Sequence, residues 1–249
     1  MNHLRAIIAI VLSTAFSVAA FAQQPAAPPP PTPLYTGGFG GGFVVTNGNT
    51  NTKNFNLNFD VVRDPKTRNV IKATALYLRG GQNGIVNLER SAFKARDEFK
   101  ISDRTFAFGQ LDYQRDKFKD LGYLLAPGGG LGVKLIQRDP TELAIDGGAG
   151  GIWEKDTNQA LKKSGMITAG QRFRQKLSAN AAFTESLSTL WKTNDFSDSL
   201  TNFSLGLTSS VAKHFEIKVE FLDSYKNKPP TASIKKKDTA FVTAFVLKF

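Results

Sequence analysis

Residues Asp238 to Phe249 read DTAFVTAFVLKF, and the chain stops on that last aromatic residue. Steps of two back from Phe249 give Leu247, Phe245, Thr243 and Phe241, while Lys248, Val246, Ala244 and Val242 take the alternate positions. Successive side chains of a β-strand point to opposite faces, so this stretch is a strand with a bulky apolar ladder on one side. Such a ladder must be covered by a protein core or by lipid. The same alternation is cleanest at Asn54 to Val61, where Phe55, Leu57, Phe59 and Val61 alternate with Asn54, Asn56, Asn58 and Asp60. A soluble sandwich also buries one face of each strand, so one strand alone does not choose between core and lipid.

Working outward, the theme repeats in about twelve segments. They are Tyr35 to Thr46, Lys53 to Arg63, Asn69 to Arg79, Val86 to Phe99, Arg104 to Gln114, Tyr123 to Ile136, Glu142 to Glu154, Gly165 to Lys176, Asn180 to Trp191, Thr201 to Val211, Phe215 to Tyr225 and Thr239 to Phe249. None of the intervening stretches has helical periodicity. Links after even-numbered segments are tight, as at Ser102-Asp103 and Ala212-Lys213-His214; links after odd-numbered ones are expected to be longer, as at Lys192 to Leu200 and Lys226 to Asp238. Short turns at one end and longer loops at the other are the pattern of a closed, up-and-down transmembrane β-barrel of about twelve strands. Phe55, Leu131, Leu205 and Val219 belong to its expected outer band, with Tyr35, Tyr113, Trp153, Trp191, Tyr225 and Phe249 near strand ends as interfacial aromatics. Closure leaves no unpaired edge in hydrocarbon.

The amino-terminal stretch supports the lipid reading. Residues 1–22 form a secretory leader: a basic start at Arg5, an apolar run, and Ala20-Phe21-Ala22 as a cleavage site after Ala22. Residues 23–33 are a proline-rich tether, and residues 34–249 form the barrel. The chain has no cysteine, which excludes a disulfide framework, a thiol nucleophile and a thiolate metal site. The net charge of +11 suits polyanionic neighbours such as lipid phosphates, and export argues against nucleic acid.

Gly37-Gly38-Phe39-Gly40 leading to Thr46-Asn47-Gly48-Asn49-Thr50-Asn51-Thr52 opens the folded part. Together with Ala126-Pro127-Gly128-Gly129-Gly130-Leu131-Gly132 and Lys236-Lys237-Asp238-Thr239 before the terminal Phe, these stretches make Tyr35 to Phe249 resemble the salt-induced outer membrane proteins, a domain-of-unknown-function family. The resemblance implies a Gram-negative outer membrane location. It also implies that Phe249 is the signal read by the barrel-assembly machinery.

With the apolar faces outward, the lumen is expected to collect Asn54, Asn56, Asn58, Asp60, Arg90, Lys94, Arg96, Asp112, Lys134, Asp146, Arg172, Arg174, Glu216, Lys218 and Glu220. Buried charges must pair or meet water, so these residues form either a neutralising plug or a narrow hydrated path biased towards anions. Gly128, Gly130, Gly132, Gly148 and Gly150 either open a groove or make room for bulky neighbours. Lys226, Lys228, Lys235, Lys236 and Lys237 surround Pro229-Pro230 in the last loop and are candidate contacts for lipopolysaccharide phosphates.

Hydrolysis is the rival class, but His214 is the one histidine after the leader and lies in an expected turn. The chain is therefore read as a non-enzyme without cofactor or metal, its oligomeric state open. The alternatives to a narrow pore are a structural envelope component, a non-conducting barrel bound to lipopolysaccharide, an outer membrane hydrolase and a soluble periplasmic sandwich.

Overall fold

The computed structural model describes residues 33–47, 52–82 and 85–249, without the side chains of residues 44–47, 52–54, 82 and 87. The expected leader and tether up to residue 32, the tips of the first two odd links and the Asn54 side chain lie outside the described residues.

Twelve strands run in chain order: β1 (Tyr35–Asn47), β2 (Thr52–Arg63), β3 (Asn69–Gln82), β4 (Ile85–Lys100), β5 (Thr105–Asp116), β6 (Leu121–Arg138), β7 (Thr141–Asp156), β8 (Lys162–Lys176), β9 (Ala181–Lys192), β10 (Asp195–Ala212), β11 (Phe215–Lys226) and β12 (Lys237–Lys248). Each pairs antiparallel with its chain neighbours, and β1 pairs with β12 from Gly38–Lys248 to Asn47–Thr239. The sheet is closed, which excludes the sandwich. Closure satisfies the backbone of every strand within the sheet and leaves no edge for another chain to join. At the seam the terminal residue completes the ladder: Phe249 N–H donates to Gly37 O at 3.2 Å, and its ring stacks on Phe59 at 6.5 Å between centroids. We call the end where β1 begins and β12 stops the terminus end, and the opposite one the far end.

The period of two sets the faces. Phe39, Phe55, Phe59, Leu131, Val133, Leu207, Phe241, Phe245 and Leu247 project outward and are exposed, with Phe43 at 81 %. Val242, Ala244 and Val246 of β12 point inward and are buried.

The interior is not purely polar. Leu78, Leu88 and Val242 pack with Leu76, Leu222 and Ala240 on one side of the lumen, and Leu124, Ala126, Ile152 and Met166 with Leu190 and Leu200 on the other. These clusters narrow a twelve-stranded bore from two sides.

The expected contrast in link length does not hold. β10 begins at Asp195, so the link after β9 is residues 193–194, as short as the β6–β7 and β10–β11 turns. Asp195 pairs with Lys192 and Ser199 with Trp191, and the residues between them bulge out of the β9 ladder. Among the described residues, only 227–236 form a long far-end link; that after β5 holds one 3-10 turn, Lys117–Lys119, capped by the Asp116 carboxylate.

Candidate functional site: the barrel lumen

Arg96 of β4 is the hub of an ionic cluster in the half of the lumen nearer the termini. Its guanidinium is 5 % exposed and donates to Glu98 at 2.9 Å, Gln110 at 2.8 Å and Asp146 at 3.0 Å. Arg172 of β8 reaches the same two carboxylates, Glu98 at 3.0 Å and Asp146 at 3.3 Å, and Lys72 of β3 meets Glu98 at 2.8 Å. Three cations therefore share two carboxylates.

The span from β4 to β7 is possible because β6 and β7 present glycine, Gly132 and Gly148. An added Cβ on Gly132 would lie 2.2 Å from Phe106 Cζ, and one on Gly148 would lie 3.1 Å from Phe108 Cζ. The two rings occupy that space, and Arg96 stacks over Phe108 with its guanidinium carbon 3.7 Å from the ring centroid. The glycines thus make room for bulky neighbours rather than opening a groove. Stacking on an aromatic face, with donors spent in fixed directions, holds the guanidinium in one place.

A second cluster lies at the far end. Glu154 of β7, its side chain 4 % exposed, meets Lys192 at 3.0 Å and Lys226 at 2.5 Å, while Lys192 also meets Asp198 at 2.5 Å. Lys162 meets the fully buried Asp156 at 2.7 Å beside it. The 227–236 link leans over this mouth, since Pro229 and Pro230 line a 290 Å³ cavity together with the inward-facing Ile152 and Glu154.

Two larger cavities lie between these layers. One of about 460 Å³ has an apolar wall of Leu76, Leu78, Leu88, Leu222 and Val242 facing Asp60, Arg90, Lys94, Asp112, Lys218 and Glu220. The other, of about 370 Å³, is lined by Lys72, Arg96, Asp146 and Arg172 against Thr168, Ser186, Ser188 and Asn202. Thr74, Lys94, Asp112, Gln114, Ser186, Ser188 and Asn202 line both, so the cavities adjoin. The wall between them holds the Lys94–Asp112 pair at 3.3 Å.

Of the residues singled out in the sequence, Asn58, Asp60, Arg90, Lys94, Asp112, Lys218 and Glu220 line the larger cavity, and Lys94, Arg96, Asp112, Asp146 and Arg172 the smaller. Asn56 is sealed in the wall with its amide unpaired. Glu216 lies at the terminus end, bonded to Lys248 at 2.7 Å and Ser210 at 3.0 Å, and Arg174 is exposed near the same mouth. Lys134 is half-buried on β6, its backbone N–H bonded to Arg104 O at 2.7 Å.

The lysine loop requires correction. Lys226 is the last residue of β11 and turns into the barrel towards Glu154, so it is no loop residue. Lys228 pairs with Asp195, Lys237 with Asp223 at 2.9 Å, and Lys236 donates to Asn227 at 3.2 Å. Their charges are largely engaged within the chain. Lys235 is exposed.

Glu98, Lys72 and Gln110, and the Ser186, Ser188 and Asn202 wall, were not singled out. For Glu98 the parity of Arg96 was the available signal, and for Lys72 its alternation with Thr74 against Ile71, Ala73 and Ala75. For the serines, the small-residue alternation of Thr184, Ser186 and Ser188 against Phe183, Glu185 and Leu187 was the signal.

A family described as a protein of unknown function, DUF481, matches residues 40–249. Uncharacterized protein YdiY of Escherichia coli (strain K12) is 23 % identical over 204 residues, covering 80 % of this chain and 77 % of that protein. Among solved structures, the NanC porin superposes with a TM-score of 0.57 at 8 % identity, over 86 % of this chain and 100 % of its own. The translocator domain of autotransporter NalP from Neisseria meningitidis gives 0.52 at 12 % identity, over 86 % and 88 %. The COG4313 outer membrane channel from Pseudomonas putida F1 gives 0.51 at 10 % identity, over 90 % and 100 %. At such identities the likeness concerns the barrel fold.

Proposed function

The chain belongs to the DUF481 family, and from that premise we propose that it resides in the bacterial outer membrane as a narrow channel for small charged solutes, with no enzymatic role. The exposed outward ladder of Phe39, Phe43, Phe55, Phe241 and Phe245 favours hydrocarbon, because a soluble chain rarely shows water a continuous belt of large apolar side chains. Lipids and lipopolysaccharide are then its surroundings, and the exposed Phe249 the feature offered to the assembly machinery.

The observation that carries the channel reading is the pair of adjoining cavities within the barrel, of about 460 and 370 Å³, separated by the Lys94–Asp112 pair. A solute passing between them must slip by that pair, whose side chains are 43 % and 23 % exposed and therefore partly hydrated. Charged side chains at a constriction set both its width and its selectivity.

Planar-bilayer recording of the refolded mature chain tests this. A small unitary conductance is expected, and a larger one for the Lys94→Ala, Asp112→Ala double variant. Current at the level of an empty bilayer from both proteins would sink the channel.

A further inference from the structure

We propose that the smaller lumenal cavity is a binding subsite for a small organic oxyanion, a carboxylate or phosphate monoester whose body bears hydroxyl or amide groups, held by Arg172 and Lys72. The proposal deepens the channel reading and rests on it in one respect, that solutes reach the lumen.

The first argument is charge. Lys72, Arg96 and Arg172 share Glu98 and Asp146, which leaves one positive charge uncompensated within a largely enclosed barrel. Uncompensated charge away from bulk water is costly, and an anion placed there relieves the cost.

The second argument is where that charge is available. Arg96 is sealed, its donors committed to Glu98, Gln110 and Asp146. Arg172 and Lys72 have side chains 35 % and 37 % exposed, and both line the 370 Å³ cavity. A planar guanidinium with partly free edges beside an ammonium matches the oxygens of a carboxylate or phosphate. The site is preorganised, because the carboxylates that hold Arg172 are themselves fixed by the Arg96–Phe108 stack.

The third argument is the facing wall. Thr74, Gln114, Thr168, Ser188 and Asn202 line the cavity and make no side-chain hydrogen bond to the described residues. Unspent neutral donors and acceptors opposite two cations select a ligand with a charged head and a neutral polar body. Leu124, Leu190 and Leu200 close one side of the cavity. Its volume falls in the lower part of the roughly 300–1,000 Å³ range of small-molecule sites. The balanced far-end cluster of Lys192 and Lys226 with Glu154 and Asp198 has no such excess.

Gluconate and sorbitol are a matched pair, one carrying a carboxylate where the other carries a hydroxymethyl group; glycerol 3-phosphate supplies the phosphate head. Titration calorimetry of the refolded mature barrel in detergent is expected to show binding of gluconate, glycerol 3-phosphate or both, and none of sorbitol. Arg172→Gln is expected to weaken it at least about tenfold, as loss of a charge-assisted hydrogen bond does. Lys72→Gln should weaken it less, and Lys162→Gln, at the far end, should leave it unchanged.

Equal affinity for gluconate and sorbitol would overturn the proposal, as would binding that survives both Arg172→Gln and Lys72→Gln, or no binding of either anion. Each variant is scored only as the folded, heat-modifiable species on a gel, and if one does not fold the other decides. Conductance separates the two readings: a conducting barrel that binds neither anion removes the subsite alone, and a silent one that binds gluconate removes the channel alone.

Discussion

The two ionic layers of this barrel both set cationic side chains against carboxylates, to different ends. At the far end, Lys192 and Lys226 meet Glu154 and Asp198, two charges of each sign, capped by Pro229 and Pro230. Nearer the termini, three cations meet two carboxylates beside an open cavity. Balance leaves nothing for a solute to answer, because every charge finds its counterpart in the chain. Imbalance leaves a charge that only a solute or water can answer. Charge count per layer, rather than charge content of the whole bore, is thus what distinguishes a structural layer from a binding one.

The sharpest way to break that contrast is Glu154→Gln. It strands Lys226 and leaves Lys192 with Asp198 alone, where Glu154 is 4 % exposed, and removal of one partner from a buried network costs about 3–5 kcal/mol. Urea unfolding in lipid vesicles reads it; a cost below about 1 kcal/mol would mean that water already reaches this layer.

Gly132→Val tests the floor of the other layer. Its Cβ would fall on the Phe106 ring, so the ring must move, and overpacking of this kind costs about 1–3 kcal/mol. Gluconate binding should fall with it, because Phe106 and Phe108 support Arg96. An unchanged unfolding midpoint would show that the ring has room elsewhere.

Arg172→Gln should cost less, under about 1 kcal/mol, since Arg172 is 35 % exposed and its loss balances the cluster. Comparison with Glu154→Gln sharpens the claim: removing a charge from the balanced layer hurts more than removing one from the unbalanced layer. If Arg172→Gln were the more damaging in urea, the roles assigned to the two layers would have to be exchanged.

The outline of this molecule was legible in its sequence because a period of two survives weak composition. Phe55, Leu57 and Phe59 against Asn56, Asn58 and Asp60 fix both a strand and its faces, and the twelve segments found that way start and stop within a few residues of the observed ones except at β10. Asp195 to Leu200 reads as loop from its Asp and Ser residues, yet the strand extends through it, since Asp195, Ser199 and Leu200 find partners on β9 while the residues between them bulge, which local propensity does not mark.

The lumen was only half legible. Leu78, Leu88, Ile152 and Met166 point inward, against the rule that apolar means outward, and nothing local marks them, since Tyr77, Trp153 and Ile167 beside them are apolar too. The meeting of Arg96 with Asp146, across three strands, follows from the cumulative stagger of the ladder around the barrel. No single segment carries that stagger, so the cluster could be composed from the sequence but not assembled.

The smallest effect belongs to the cover of the far-end layer. Asp195, at the far-end start of β10, pairs with Lys228 of the 227–236 link; the Lys228 ammonium first, then Ser197, hold its carboxyl down to about 2. A carboxyl depressed in the docked state contributes fully above its ordinary value of about 3.9, and the contribution is lost as pH falls through the depressed value. Docking of the link should therefore be indifferent to pH from about 8 down to about 5, and should weaken between about 4 and 2. Both partners are exposed, so the contribution is small and salt should reduce it. Because the chain has no cysteine, a single spin label at Ser233→Cys reports the link alone. Its mobility should rise only in that acid window, while Asp195→Asn makes it mobile at every pH. A transition centred at or above about pH 4 would mean that Lys228 does not hold the link down, and that the balanced layer is closed by its own ion pairs without a latch above it.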